Sequence, residues 1–201
     1  MLAVAYFAAL LARSADRWQA RDADLDEIED VAGLVEFMRE IPDDDEEEEE
    51  PDTAVLLLEQ EGVWFAVVRL DAEEDPRLFV SDAAAVSRSA YADLLLSTDL
   101  GPCGPDGRPT EEPTAAAAVT AADDEDADDG ERPDLADLAE AEPGERRPLH
   151  MGPAGDAELL ADFGVRATRL VGLCRDGLLP ADALVDVAEA LGAADELEEV
   201  R

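Results

Sequence analysis

Apolar and polar positions change their period several times along the chain, and each change marks an element. Residues 4–12 (VAYFAALLA) form a short apolar run that ends at Arg13; after Ser14, Ala15 and Asp16, residues 17–21 (RWQAR) alternate in period two. The pair predicts a β-hairpin. The opening run has no Lys or Arg before it and is far short of a membrane span, so it is expected to be a core strand rather than a signal peptide or anchor. At Asp24 the pattern turns helical: Asp24 is placed to cap, Glu27 follows at capping-box spacing, and Leu25, Ile28, Val31, Leu34, Val35 and Met38 recur at three and four, predicting a helix to about Glu40. Residues 53–60 (TAVLLLEQ) and 63–70 (VWFAVVRL), separated by Glu61-Gly62, are unbroken apolar runs, as expected of central strands covered on both faces. Asp75-Pro76 breaks the chain, residues 77–80 (RLFV) predict a fifth strand, and Ser81 or Asp82 caps a helix over 83–96.

The C-terminal residues keep helical period. Segments 156–163, 167–175 and one opened by Pro180 end at Gly164, Gly177 and Gly192, the usual placing of Pro at a helix start and Gly past its end. The last of these carries the stripe Ala183, Leu184, Val187, Ala188 and Leu191. The order β-β-α-β-β-β-α has hairpins and no regular βαβ alternation. The expected fold is therefore α+β: an antiparallel sheet of about five strands with helices packed on it, plus a small C-terminal helical segment. Such a segment is too small to fold robustly alone and is expected to dock on the sheet.

Charge changes this picture in two places. The 201 residues hold 53 Asp and Glu against 15 bases, every one an Arg, for a net charge of -38. Residues 42–52 carry -9 and residues 101–152 carry -11. Both stretches are Pro-bracketed or Pro/Gly-rich and poor in apolar residues, and like charges in series repel. The expected organisation is an α+β domain over 1–100 interrupted by an acidic disordered loop at 42–52, an acidic disordered linker over 101–152, and the helical segment over 153–201. With hydrophobic residues at 47%, the rest has enough to build a core. The charge argues against direct nucleic-acid binding and against anionic membranes, which are held by cations. Cys103 and Cys174 lie 71 positions apart, one in the linker and one on a helical stripe, which suggests neither a disulfide framework nor a redox pair and fits a reducing cytoplasm.

Several chemistries lack their residues. The single His, His150, has no carboxylate or thiol beside it to share a metal ion, and no cofactor motif is present. A nucleobase deaminase would show H-x-E and P-C-x-x-C; here Pro102-Cys103 leads to Gly104, Pro105 and Asp106, and the second Cys is missing. Asp123 to Gly130 resembles a calcium loop, yet counted from Asp124 its sixth position is Asp129 rather than Gly and its twelfth is Leu135 rather than Glu. Ser81, Ser87 and Ser89 have no His to activate them. The most distinctive run is residues 73–82 (EEDPRLFVSD). Its residues have folding roles as a turn, an ion pair and a cap. They also make a candidate interaction surface at a sheet end: Asp75, Arg77, Ser81 and Asp82, with Trp64 and Phe65, which face opposite ways on their strand.

Residues 55–96 (VLLLEQEGVWFAVVRLDAEEDPRLFVSDAAAVSRSAYADLLL) resemble the bacterial tRNA adenosine deaminase-associated protein family, as do YFAALLAR, DLDEIEDVAGLVEFMREI, GDAELLADFGV and LPADALVDVAEALGAADELEEVR. The resemblance covers about two thirds of the chain and skips the acidic stretches. It implies association with a tRNA adenosine deaminase, the enzyme of wobble adenosine-to-inosine editing, and it brings no catalytic residues. The leading expectation is a non-catalytic cytoplasmic accessory that binds or regulates that deaminase. An acidic interaction module tied to the deaminase only by gene neighbourhood, and a divergent enzyme working through carboxylates, stand as the alternatives.

Overall fold

The computed structural model describes residues 6–14, 17–39, 51–60, 62–72, 74–96, 100–108, 152–174 and 178–201. These all fall in one compact unit, built from residues 1–110 and 150–201. The acidic block Asp43 to Glu50, the stretch 109–151 with His150 and the calcium-like run, and Glu73 lie outside the described residues.

Six strands form one sheet in the order β2-β1-β3-β4-β5-β6, every neighbouring pair antiparallel. They are β1 (Tyr6–Ser14), β2 (Arg17–Asp22), β3 (Thr53–Gln60), β4 (Trp64–Asp71), β5 (Arg77–Val80) and β6 (Ala154–Gly155). The helices are α1 (Val31–Arg39), α2 (Ala83–Val86), α3 (Ala92–Leu95), α4 (Ala167–Leu173), α5 (Pro180–Leu191) and α6 (Ala194–Glu199). The fold is α+β, as the hydrophobic pattern predicts, with one strand more than expected.

The apolar runs at β3 and β4 mean what a two-sided strand should mean. Alternate residues go to opposite faces, and both faces are covered. Ala8, Leu10, Leu56, Leu58, Trp64, Ala66, Val68 and Val80 pack under α1, α2 and α3. Ala9, Leu11, Val55, Leu57, Phe65, Val67 and Phe79 pack under the C-terminal segment, against Leu159, Leu160, Leu170, Leu184 and Val187 among others. Each fully buried large apolar side chain contributes on the order of 1.5–3 kcal/mol, so these two layers hold the unit together.

Charged residues fasten the C-terminal layer to its sheet face. Arg69, on β4, gives Nε to Asp71 at 2.9 Å and Nη1 to the Leu159 carbonyl at 2.7 Å. It also grips Asp162 with both ends of the guanidinium, Nη2 to Oδ2 at 2.8 Å and Nη1 to Oδ1. Phe163 lies across this pair, with the Arg69 guanidinium 4.7 Å and that of Arg13 5.3 Å from its ring centre, and Trp18 meets it edge-on. Arg201 reaches Glu59 at 3.3 Å and sits over Phe7.

Four local expectations need correction. The first helix begins at Val31 rather than Asp24: Asp24 Oδ1 accepts the Asp26 N–H at 3.0 Å in a tight turn, and Asp30 Oδ1 accepts from Gly33 at 2.8 Å as the cap. A helix through Asp24–Asp30 would stack Asp26 on Glu29 and Asp30, and Glu27 on Asp30, like charges at repulsive spacing. The helix over 83–96 is two short helices, because the Ser87 and Ser89 hydroxyls donate to the Ala84 and Val86 carbonyls at 2.8 and 2.7 Å and turn the chain between them. Residues 156–163 make turns and a 3-10 turn at Ala161–Phe163, started by Asp156 accepting from the Glu158 N–H, and Gly164 at φ 89° stops it as expected. Residues 101–103, assigned by composition to the linker, bond along β6: Pro102 bridges Ala154, and Cys103 N–H donates to the Pro153 carbonyl at 2.9 Å. β6 lies this close to β5 only because residue 155 is Gly: at φ 99°, a Cβ there would meet the Leu78 carbonyl oxygen at 2.2 Å.

Candidate functional site

The end of the sheet where β4 begins and β5 finishes opens into a cleft of about 460 Å³. Three connections build it. A turn closed by Val63 N–H on the Gln60 carbonyl at 2.9 Å, with Gly62 at φ 67°, starts β4 and leaves the Val63 side chain outside the sheet. At the end of β5, Ser81 extends the ladder by one rung: its N–H donates to the Phe65 carbonyl and its Oγ accepts from the Phe65 N–H, both at 2.9 Å. Asp82 then caps α2, its Oδ1 accepting from Ala85 at 3.0 Å. The third wall is the end of α4 and the start of α5, with Leu173, Cys174, Leu178 and Pro180, and Pro102, Cys103 and Pro153 close the side.

Val63, Leu178 and Leu179 are 53%, 41% and 59% exposed, and they are the large hydrophobic side chains left exposed among the described residues. Val63 and Leu178 line the cleft, and Leu179 stands between two lining residues. Two exposed apolar side chains at one opening, with a third next to it in sequence, differ from the scattered exposed leucine that any protein carries. Asp82 is the only charged residue among the described ones that line it. Cys103 inside the cleft is a poor nucleophile: burial pushes its thiol up, and its Sγ donates to the Gly155 carbonyl at 3.0 Å.

The six sequence candidates separate. Phe65, Ser81 and Asp82 meet at this cleft. Arg77 and Asp75 are at the far end of β5, where Arg77 Nε bonds Asp156 at 2.7 Å and lines a second cleft of about 670 Å³ with it. That cleft is the larger, yet this cation and this anion answer each other. Trp64 and Phe65 are both buried, and of the two Phe65 lines the cleft. They do face opposite ways, but each face has its own helical cover, and Trp64 Nε1 is satisfied by Gln60 Oε1 at 2.9 Å. Pattern reading missed Val63, Leu178 and Leu179. The available signal was two leucines directly before a helix-opening Pro, outside the stripe that begins at Ala183.

Among the described residues, no group of three or more His, Cys, Asp or Glu is placed to hold a metal ion. Among them too, no helix is long and apolar enough to cross a membrane.

Fold and site together define an acidic α+β protein with a doubly covered antiparallel sheet and an apolar-rimmed cleft at one sheet end. Its sequence matches the family described as Rv3753c-like tRNA adenosine deaminase-associated protein over residues 6–119 and 112–194. The chain belongs to that family. Comparison with curated proteins and with solved structures finds no match in either.

Proposed function

We propose that this protein is a non-catalytic, cytoplasmic accessory that binds a tRNA adenosine deaminase and regulates its access to tRNA. The family's description supplies the association. The observation that supports direct binding is where the cations go. Arg69, Arg77, Arg169 and Arg201 are paired with carboxylates of the same fold, and Arg13 and Arg21 lie over aromatic rings. With these cations answered by partners of the same fold, and 53 Asp and Glu against 15 Arg in all, the excess carboxylates dominate what a partner meets. An enzyme that holds tRNA must expose cations to the phosphate backbone. A protein of net charge -38 is complementary to that surface and would compete with tRNA for it.

The test is size-exclusion chromatography with light scattering of this protein mixed with the deaminase of the same cell, at low and at physiological salt. A complex that persists at physiological salt is the expected result. Separate elution at both salts would remove direct binding and leave an acidic module whose partner is another protein.

A further inference from the structure

We propose that the cleft between Val63, Asp82 and Leu178 is the partner-docking site, and that its occupant is a segment with an apolar anchor flanked by basic residues. As a site on the deaminase this rests on the function proposed above; as a site for that chemistry it stands on the geometry alone. Val63 and Leu178, two of the three exposed large apolar side chains, line it, the third, Leu179, lies between the lining residues Leu178 and Pro180, and Ser81 and Asp82 stand at one wall to meet a polar or cationic group. Charge chooses among occupants that would all cover apolar surface. A second copy of this chain brings another -38, and residues 111–149 of the same chain carry -11. Both would bring like charge to an acidic surface, which is costly, whereas basic flanks are attracted to Asp82 and to the acidic unit around it.

Leu179 supplies a variant that separates apolar anchoring from charge. It is the residue that precedes α5, extended at φ -67° and ψ 143°, with Pro180 following and no side chain capping the helix. Asp is among the best residues at that position, so Leu179→Asp should fold at least as well as the parent. It adds negative charge. If attraction to a cationic partner were only electrostatic, L179D would bind more tightly; if Leu179 anchors the partner, it binds more weakly.

The experiment measures deaminase affinity for the parent, L179D and V63S at physiological salt, with hydrogen exchange across residues 62–65 and 178–184. The expected result is at least about tenfold weaker binding for L179D, an unchanged or raised melting temperature, and slower exchange in both segments of the parent on binding. Parent, L179D and V63S all binding equally well would overturn the cleft and leave the accessory function standing. If the deaminase does not bind at all, the function proposed above fails, and the cleft is tested with synthetic peptides. An apolar anchor flanked by Arg should slow exchange in both segments, and the same anchor flanked by Glu should not. Protection by neither peptide overturns the proposal. So does a dimer that L179D dissociates, or protection in the free protein that vanishes on deleting 111–149, since each names a different occupant.

Discussion

Among the described residues, Arg69 is the guanidinium that folding takes almost fully out of water, and its position explains why the C-terminal layer seats in one register. Burial works against its charge, and the hydrogen bonds it donates to Asp162 and Asp71 outweigh that, so its pKa is raised. Asp162 answers in the opposite sense: hydrogen bonds from Arg69 hold its carboxyl below the usual carboxylate range. A carboxyl lowered in the folded state binds its proton more readily when unfolded. Its stabilisation is therefore fully present above about pH 4 and lost as pH falls through the lower folded value. The Asp162 side chain is 56% exposed, so solvent screens the pair and the cost of breaking it is about 1–2 kcal/mol rather than the larger figure for a wholly buried one. Asp162→Asn should lower the melting temperature at pH 7, and the gap between variant and parent should narrow below about pH 4. Thermal melts of both across pH 3–7 check this, and a gap that does not depend on pH would place the effect in packing instead.

At the scale of elements, the layer formed by 152–201 completes the core rather than decorating it. It covers Phe65, Val67 and Phe79, and its residues Ala154 and Gly155 supply β6. A chain ending before Gly152 should lose cooperative melting and bind a dye for exposed apolar surface, as calorimetry and fluorescence would show; a monomer with the parent's sharp transition would mean the first hundred residues fold alone. What was legible in the sequence follows the same division. β3, β4 and β5 were plain because eight- and four-residue apolar runs have one stable use in an α+β protein, and α5 because Pro180 and Gly192 bracket its stripe. The sixth strand was not legible, since two residues have no period and Gly155 is needed for a close approach to Leu78 that only tertiary structure creates. The cleft was half legible: Ser81 and Asp82 announce a sheet end and a cap, whereas Leu178 and Leu179 acquire meaning only when the start of α5 is set beside Val63.

At the scale of the molecule, charge is the dominant property and it opposes compactness. A net -38 on 201 residues repels itself, and added salt shortens the range of that repulsion from about 10 Å at 0.1 M to about 3 Å at 1 M. The melting temperature should therefore rise by several degrees between low and molar sodium chloride; a fall would mean that the arginine pairs, not the excess carboxylates, control the balance. On the function proposed above, the same charge gives the range of attraction and the apolar cleft the place to hold. In the proposed function, electrostatics governs how fast a cationic partner arrives, and the apolar rim governs how long it stays. Removing Asp43 to Glu50 should slow association at low salt and leave dissociation unchanged, as surface-binding kinetics would register.

The central claim is that this protein and tRNA compete for one cationic surface of the deaminase. Titrating the protein into a complex of the deaminase with fluorescently labelled tRNA, and following anisotropy at physiological salt, tests that claim most directly. The account predicts that tRNA is released completely, at a midpoint that moves up with tRNA concentration, and that L179D releases it only at higher concentration. Anisotropy that stays at its starting value while light scattering reports all three components together would contradict competition.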